Sequence, residues 1–415
     1  MPVKRPPIPK IVAQHAEGAA FQWLLRDAAA RSANHNLVQL SRIDERVSAH
    51  LGGLQIASEA GWEACEEGLA WEEAGEVFAA AYLALSAASG ARIDRVLELA
   101  RTREDLCRAF ISALGWMEWN HIVGRVHDFM ESPDPQLRRI GLAAAALHRR
   151  LTRAELGTLL EDDHEMVRQR AMKAVGEMGE STFLPQLRHA LLSKDETERF
   201  RAAWSGCLLG DPSFTGELCR HALIRGPHAE QACLMAMRSM ACEDSFRWLA
   251  AFAKDSGDPR ILVKAMGASG DPSHVPVLLE RMSDPAMARL AGESFTFITG
   301  LDLTDAAVEG TAPDGFEAGP TDDPDDENVG RDPDEGLPWP EPDGIARWWN
   351  EHRIAFPSGS RYLLGKPLSR ESLRSILQTA TQRQRSAAAF ELALHEPGKA
   401  LFNVAAPAFR QSVIS

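Results

Sequence analysis

Several residue types and patterns that mark common protein classes are scarce or absent in this sequence of 415 residues. Only two tyrosines and six cysteines occur, and no two cysteines have the CxxC spacing of a zinc site or a redox pair. The sequence contains no run of about 18 uncharged apolar residues, which is the length needed to span a membrane. The basic N-terminus lacks the apolar core of a signal peptide. We therefore expect a cytoplasmic protein without a membrane partner, whose cysteines are buried free thiols.

The motifs of common enzymes are also missing. The sequence has no GxSxG, no HExxH, no Walker loop and no GxGxxG after a strand. His15, His35 and His50 stand near acidic residues, but no HxxxH or HxxE spacing puts two ligands on one helical turn, so ordinary histidines are favoured over a metal site. The sequence predicts no catalytic residue, no metal and no cofactor, although a scattered Ser/His/Asp triad stays open.

Acidic residues are concentrated in one part of the chain. Residues 302–344 hold fifteen acidic residues and one basic residue, Arg331, which accounts for the whole net charge of −14. The rest of the chain has 44 acidic and 44 basic residues, so it lacks the net cationic face that nucleic acid binding requires. We therefore expect no nucleic acid partner, and residues 345–415, with ten Lys or Arg against four Glu, are the local basic candidate.

The acidic stretch is rich in proline and glycine and poor in apolar residues. Such a composition buries too little surface to offset chain entropy, which predicts a solvated, disordered linker over 302–343. A calcium loop starting at Asp322 is disfavoured, because Glu327 occupies the position where glycine is needed. A third interpretation places the acidic linker against the basic segment that follows it, in a contact that salt would weaken.

The strongest positive signal is an internal repeat. Residues 174–187 match residues 265–278 without gaps, and Gly210 and Gly270 both open a Gly-Asp-Pro-Ser turn. Weaker copies fit the same frame, which gives a period of 28 to 31 residues with anchors at Gly90, Glu118, His148, Gly179, Gly210, Met240 and Gly270.

Each repeat has the same form. A turn with Asp or Pro leads into an Ala-rich helix, where Val167, Ala171, Ala174 and Val175 mark one helical face. A glycine turn and a second helix follow. Two such helices cannot bury their apolar faces alone, so stacked neighbours must form a continuous core. The pattern predicts an all-α protein, an α-solenoid of about seven HEAT-like helical pairs, whereas tetratricopeptide units are longer and would need more tyrosine.

Four regions follow from this pattern. They are a helical N-terminal cap over 1–80, the repeat solenoid over 81–301, the acidic linker over 302–343 and a small helical C-terminal segment over 344–415.

Acidic and basic residues recur in the repeat frame. The aspartates are expected to cap helix N-termini, and the arginines to bridge to a carboxylate or carbonyl of the neighbouring repeat. The functional alternative is an arginine row on a ligand-binding surface. The pairs are Asp134 with Arg138, Asp163 with Arg168, Asp195 with Arg201, and Asp284 with Arg289.

Five residues of the last quarter are candidates for partner binding. Trp339 lies within a Pro-rich lead-in, and the pair Trp348 and Trp349 follows it. The pair either packs a short helix on the end of the solenoid or serves as an exposed partner anchor. Arg383 and Arg385 lie in the first turn of a predicted helix, where the helix dipole disfavours them. We therefore expect these two arginines to meet acidic residues elsewhere, such as those of the acidic segment.

Four stretches of the sequence resemble an uncharacterised proteobacterial family of proteins with HEAT-like repeats, whose genes often lie among type VI secretion genes. The resemblance implies an adaptor, a chaperone or an immunity protein, with a secreted effector or a component of the secretion apparatus as partner. It carries over no catalytic residue. The stretches are His15–Asp27, Arg361–Leu368, Gln384–Ala393 and Leu401–Gln411.

The sequence as a whole favours a scaffold for protein–protein interaction, in which successive helices hold one partner by shape and charge. The alternative is an enzyme of lyase or hydrolase type with a polar site in the concave groove of the solenoid.

Overall fold

The computed structural model describes residues 6–255, 257–316, 318–319, 330 and 332–411. The chain divides into two compact units. Unit 1 is the chain up to Phe183 together with Gln378–Arg383 and the segment from Gly398 onward, and unit 2 is Leu184–Leu377 together with Gln384–Pro397. No helix within the described ranges has both the length and the apolar character needed to cross a membrane.

Unit 1 is helical apart from its turns and its segment after residue 397. Its helices are α1 (Pro9–Ala29), α2 (Leu37–Ala57), α3 (Glu59–Gly68), α4 (Ala74–Ser86), α5 (Gly90–Ala100), α6 (Glu104–Trp116), α7 (Trp119–Met130), α8 (Pro135–Leu147), α9 (Arg153–Leu160) and α10 (Glu165–Met178), with 3-10 turns at Leu69–Trp71, Ser181–Phe183 and Ala408–Arg410.

Two layers of helices form the repeats of unit 1. Helices α4, α6, α8 and α10 form a first layer in which each helix contacts the next, and their starting points are evenly spaced along the chain. Helices α5, α7 and α9 form a second layer that packs on the first. The first layer is rich in alanine because its helices are buried on several sides, and in α8 the run Ala143–Ala146 is buried entirely.

The N-terminal helices lie against the first repeat. Helix α1 contacts α2, α3 and α4. The indole of Trp23 is 2% exposed and stacks on Phe78 of α4 at 5.0 Å between ring centroids. Helix α1 therefore covers the apolar face of the first repeat, as a cap must.

Unit 2 continues the same two-layer pattern. Helices α12, α14, α16 and α18 contact one another in order, and α11, α13, α15 and α17 pack on them. A two-stranded antiparallel hairpin pairs Tyr362 with Pro367. The elements are α11 (Leu184–Ala190), α12 (Glu196–Leu208), α13 (Thr215–Leu223), α14 (Ala229–Ser239), α15 (Cys242–Lys254), α16 (Pro259–Ser269), α17 (Val275–Arg281), α18 (Ala288–Thr299), α19 (Pro342–His352), β1 (Tyr362–Leu363), β2 (Lys366–Pro367), α20 (Arg370–Thr379) and α21 (Gln382–His395), with 3-10 turns at Pro212–Phe214, Pro272–His274 and Arg353–Ala355.

The all-α repeat class predicted from the sequence is confirmed. The seven consecutive pairs from α4–α5 to α16–α17 carry the repeat, which starts at Ala74 rather than at residue 81, and α18 follows them. The anchors of the sequence repeat fall at the turns between the first-layer and second-layer helices: Gly179 and Gly270 end α10 and α16, and Glu118 precedes α7.

The turn after a first-layer helix is left-handed in several repeats. Gly179, Gly210, Gly270 and Gly300 have φ between +68° and +83°, a region that glycine enters without steric cost. A Cβ on Gly179 would lie 2.5 Å from the Lys399 carbonyl oxygen, and one on Gly270 would lie 2.5 Å from that of Tyr362. These glycines are therefore needed twice, for the turn and for the later part of the chain that lies on it.

The described ends of the acidic segment, 302–316 and 332–343, include buried residues and a backbone pairing that the composition does not suggest. Leu303 and Asp334 are 2% and 4% exposed, and residues 308–310 pair with residues 339–341 through an antiparallel bridge. The expected solvated linker is therefore not found around Asp332 and Asp334, which Arg289 and Arg260 bind, whereas most of residues 304–315 are exposed. The residues from Asp322 to Glu327, where a calcium loop is disfavoured, lie outside the described residues.

Candidate functional site

The arginine of the repeat frame ties two neighbouring repeats together in unit 1. Asp134 accepts a hydrogen bond from the Gln136 amide and caps α8, while Arg138 donates two hydrogen bonds of 2.7 and 2.8 Å to Asp162 in the turn before α10. Arg138 also donates to the carbonyls of Ser132 and Pro133. The hydrogen bonds from Arg138 lower the pKa of Asp162, so this carboxylate is ionised and the bridge is strong.

The next two repeats use the same arrangement with different residues. Arg168 donates to the carbonyls of Asp162 and Asp163, but the side chain that caps α10 is that of His164, and Asp163 is exposed. In unit 2, Asp195 caps α12 as expected. Arg199 forms a bridge there that the sequence did not predict.

Arg199 keeps the interval of the ladder, since Arg138, Arg168 and Arg199 hold the same position in three consecutive repeats. It donates to the Ser193 carbonyl at 2.6 Å and to Glu217 at 3.0 Å. The predicted Arg201 lies over the ring of Phe200, with its guanidinium carbon 5.2 Å from the centroid. Counting forward from the aspartate alone therefore does not find Arg199.

The two residues of the fourth predicted pair, Asp284 and Arg289, bind different partners. The Asp284 carboxylate accepts a hydrogen bond from the amide of Ala286, and α18 begins only at Ala288. Arg289 is 7% exposed and donates to Asp332 at 2.6 and 2.8 Å. Its guanidinium also lies over the ring of Trp339, 4.8 Å from the centroid. The acidic segment thus supplies the carboxylate that a further repeat would otherwise contribute.

The three tryptophans proposed as partner anchors pack within unit 2. Trp349 is 9% exposed. Trp348 and Trp349 both meet Phe295 of α18 edge-on, at 6.0 and 6.2 Å between ring centroids. Trp339 is half-buried between Phe316 and Arg289. These contacts hold α19 against the last repeat helix, the first of the two alternatives given for the tryptophan pair.

Each of the two arginines proposed to meet the acidic segment donates to a backbone carbonyl of its own unit. Arg383 donates to the Arg31 carbonyl at 3.1 Å in unit 1. Arg385 is 1% exposed and donates to the Leu377 carbonyl at 2.6 Å in unit 2. Burial lowers the pKa of Arg385 to about 10. A side chain this deeply buried cannot anchor a partner, so Arg385 has a structural role in the fold.

An exposed apolar surface on α1, not identified from the sequence, is a better candidate for partner binding. Phe21, Leu24 and Leu25 are 57%, 41% and 43% exposed. Residues three and four apart are neighbours on a helix, so the three side chains form one patch, here called the α1 patch. Trp23, on the opposite face of the same turn, is buried against Phe78. The run Phe-Gln-Trp-Leu-Leu therefore puts apolar residues on both faces of α1.

The α1 patch has a charged rim. Asp27 lies one turn beyond Leu24 and binds Arg31 at 2.6 Å and Arg108 of α6 at 2.8 Å. Burial raises the pKa of Asp27, but these two arginines outweigh burial and lower it. An apolar patch with a polar rim is typical of protein interaction sites. The sequence contains an indication of this patch, because α1 has apolar residues on two faces and packs against unit 1 with only one of them.

The histidines and cysteines give no further site in the described residues. His15 and His50 lie on α1 and α2 with their Nδ1 atoms 3.2 Å apart, and His35 contacts Ser32. Throughout the part of the chain that the structure describes, no three or more His, Cys, Asp or Glu side chains are grouped so as to hold a metal. All six cysteines are free, and burial raises the pKa of Cys65, Cys219 and Cys233 to about 12, which keeps those thiols protonated.

Comparison with known proteins supports the repeat class. No curated protein matches the chain. A family model described as HEAT repeats matches residues 125–205, which run from α7 to α12 and contain Arg138, Arg168 and Arg199. HEAT repeats are generally scaffolds for protein interaction. The periodic helices and this match together identify a protein that contains HEAT-like repeats.

Proposed function

We propose that this protein is a cytoplasmic scaffold for protein–protein interaction that binds a partner through the α1 patch. The observation that carries the proposal is the exposure of Phe21, Leu24 and Leu25 on a helix whose other face is anchored by buried Trp23. A rigid, apolar surface loses little conformational entropy when it binds, because its side chains are already presented by a fixed helix. Aromatic and apolar anchors at the centre of a charged rim are the usual source of binding energy.

The resemblance to the proteobacterial family supports a narrower role. Its genes are associated with type VI secretion, which favours a secreted effector or a component of the secretion apparatus as partner, and an adaptor, chaperone or immunity role for this protein. The product of the neighbouring gene is therefore the first partner to test.

The experiment compares capture of that gene product by four versions of the purified protein. These are the native chain, Phe21→Glu, Leu25→Glu and the control Ile56→Glu, whose isoleucine on α2 is 87% exposed and lies outside the patch. We expect both patch variants to weaken binding at least tenfold and the control to bind normally. Because all three side chains are exposed, circular dichroism should show the same melting temperature for each variant.

Equal binding by all four versions would show that the partner binds outside the α1 patch. A failure to bind any candidate protein, combined with turnover of a small molecule, would contradict the scaffold proposal and favour the enzyme alternative.

A further inference from the structure

The segment Gly398–Gln411, here called the 398–411 segment, lies on unit 1 in the manner of a bound peptide. It is irregular up to the 3-10 turn at Ala408–Arg410. We propose that unit 1 carries a peptide-binding site, occupied in this structure by the 398–411 segment, which a partner segment of the same chemistry can take in its place. The contacts concerned do not involve the α1 patch, so the two proposals stand separately.

Backbone groups at the start of the segment are bound by two repeat turns. The Leu401 amide donates to the Glu177 carbonyl at 2.9 Å, near the end of α10. The Leu401 carbonyl accepts hydrogen bonds of 3.2 and 2.7 Å from Nε and Nη2 of Arg149, which follows α8. Contacts to the backbone supply affinity without requiring a particular side chain at that position.

Arg149 supplies a side chain at the left-handed turn after α8. It has φ of +56°, the region that Gly179 and Gly210 occupy after α10 and α12. Ala88 has φ of +48° in the same turn after α4, with the same backbone hydrogen bonds. Arg149 differs from these residues in its guanidinium, which binds the Leu401 carbonyl.

A buried ion pair binds the middle of the 398–411 segment. Arg26 and Asp44 are 5% and 3% exposed and lie 2.9 Å apart. Arg26 donates from Nη2 to the Ala406 carbonyl at 2.7 Å, and Asp44 accepts from the Ala408 amide at 2.6 Å. Arg26 and Asp44 therefore bind a backbone carbonyl and a backbone amide that lie two residues apart, on either side of Pro407. Pro407 itself is buried.

The last contacts give the site its preference for an arginine. Arg410 donates to the Met117 carbonyl after α6 and to Nδ1 of His148 at 3.0 Å. His148 can accept this bond because its Nε2 donates to the Leu114 carbonyl at 2.9 Å. Phe409 meets Trp116 edge-on at 5.9 Å between ring centroids, yet remains 54% exposed.

The segment contributes little of its own surface to the core. Of residues 398–411 only Pro407 and Gln411 are buried, and Glu396 is followed by the exposed stretch Pro397–Ala400, with Gly398 at φ +88°. Local opening costs least where few apolar side chains are buried. The contacts define the ligand as a peptide with a proline between small residues, followed by an aromatic residue and an arginine.

The test uses the full chain with a protease site inserted between Pro397 and Gly398. After cleavage, a fluorescent peptide of residues 398–411 is added and its binding is followed by anisotropy, with circular dichroism as a check on folding. We expect the cleaved protein to keep its helices and to exchange its own segment for the labelled peptide. The uncleaved protein should bind the peptide weakly, because a tethered segment competes at an effective concentration of about 1 mM.

Competition with unlabelled peptides then tests the contacts. The Arg410→Ala peptide should compete at least tenfold less well than the native peptide, whereas Ala405→Ser, at an exposed position, should compete equally. Two results would overturn the proposal. One is a cleaved protein that stays folded but never exchanges its segment, and the other is a cleaved protein that unfolds, since either would make the segment a permanent part of the core.

Discussion

Arg289 of α18 binds Asp332 through two hydrogen bonds of 2.6 and 2.8 Å, although the two residues are separated by 43 positions in the sequence. Arg138 binds Asp162 in the same bidentate way across 24 positions, within the repeats. The acidic segment therefore completes at the last repeat of unit 2 an interaction that consecutive repeats make with each other.

Replacing Asp332 by Ala should destabilise unit 2 by about 2 to 4 kcal/mol, because a buried guanidinium would lose its carboxylate. Urea unfolding followed by circular dichroism measures the change. Asp314→Ala is the control, since Asp314 lies in the same acidic segment but is exposed. If Asp332→Ala and Asp314→Ala unfold alike, the segment is the solvated linker that its composition suggested.

Two replacements of Arg149 separate backbone strain from side-chain binding. Both Arg149→Ala and Arg149→Gly remove the hydrogen bonds to Leu401, but only glycine removes the strain of φ +56°. We expect Arg149→Gly to be more stable than Arg149→Ala by about 1 kcal/mol, the usual preference for glycine in this conformation. Equal free energies of unfolding would show that this turn relaxes and stores no strain.

Gly179 should not tolerate a side chain. Gly179→Ala would put a Cβ 2.5 Å from the Lys399 carbonyl oxygen at a φ of +74°. We expect this strain to cost about 2 kcal/mol of stability and to loosen the 398–411 segment. The matched control is Gly124→Ala in the middle of α7, where the Cβ meets nothing within 4 Å. That change should stabilise the protein by up to about 1 kcal/mol. Thermal unfolding of both variants gives the comparison, and destabilisation by both would point to a general intolerance of alanine.

Acidification should destabilise unit 1 through His148. Burial lowers the pKa of His148 to about 4 from its ordinary 6.5. The unfolded chain therefore takes up a proton below about pH 6.5 while the folded protein does not, and stability falls as the pH drops from 6.5 to 4. The slope for one histidine is at most about 1.4 kcal/mol per pH unit.

The contribution of His148 is measured against the variant His148→Gln. Glutamine can still donate to Leu114 and accept from Arg410, but it does not titrate. Burial also lowers the pKa of His50, His221, His228 and His274, so both proteins should lose stability on acidification, and the native one more steeply. Parallel profiles between pH 7 and 4.5 would contradict the role assigned to His148.

The repeats could be predicted from the sequence because they depend on packing between residues close together in the chain. First-layer helices need small residues to approach one another, and the turns need glycine, so alanine and glycine recur in each repeat. The exact partners were less readable. A cap can come from Asp134 or from His164, and only about half a turn of helix separates Arg199 from the predicted Arg201, a difference that composition does not resolve.

The contacts of the acidic and 398–411 segments could not be predicted, because they join residues far apart in the chain. Arg149 and Leu401 are 252 positions apart, and Arg26 and Ala406 are 380 apart. No local pattern marks an arginine as the partner of a distant carbonyl. The exposed half of α1 was missed for another reason, since an apolar helix at the start of a repeat array is usually read as wholly buried.

The 398–411 segment meets the turns after α10, α8 and α6 in that order, and each turn contributes a different grip on it. Adding or removing one repeat within unit 1 would displace the turns beyond that repeat by the thickness of a helix pair. The segment would keep its length, so its contacts with those turns would no longer be in register. Unlike an open array of helical repeats, unit 1 is thus fixed in the number of its repeats by the length of the polypeptide that lies across it.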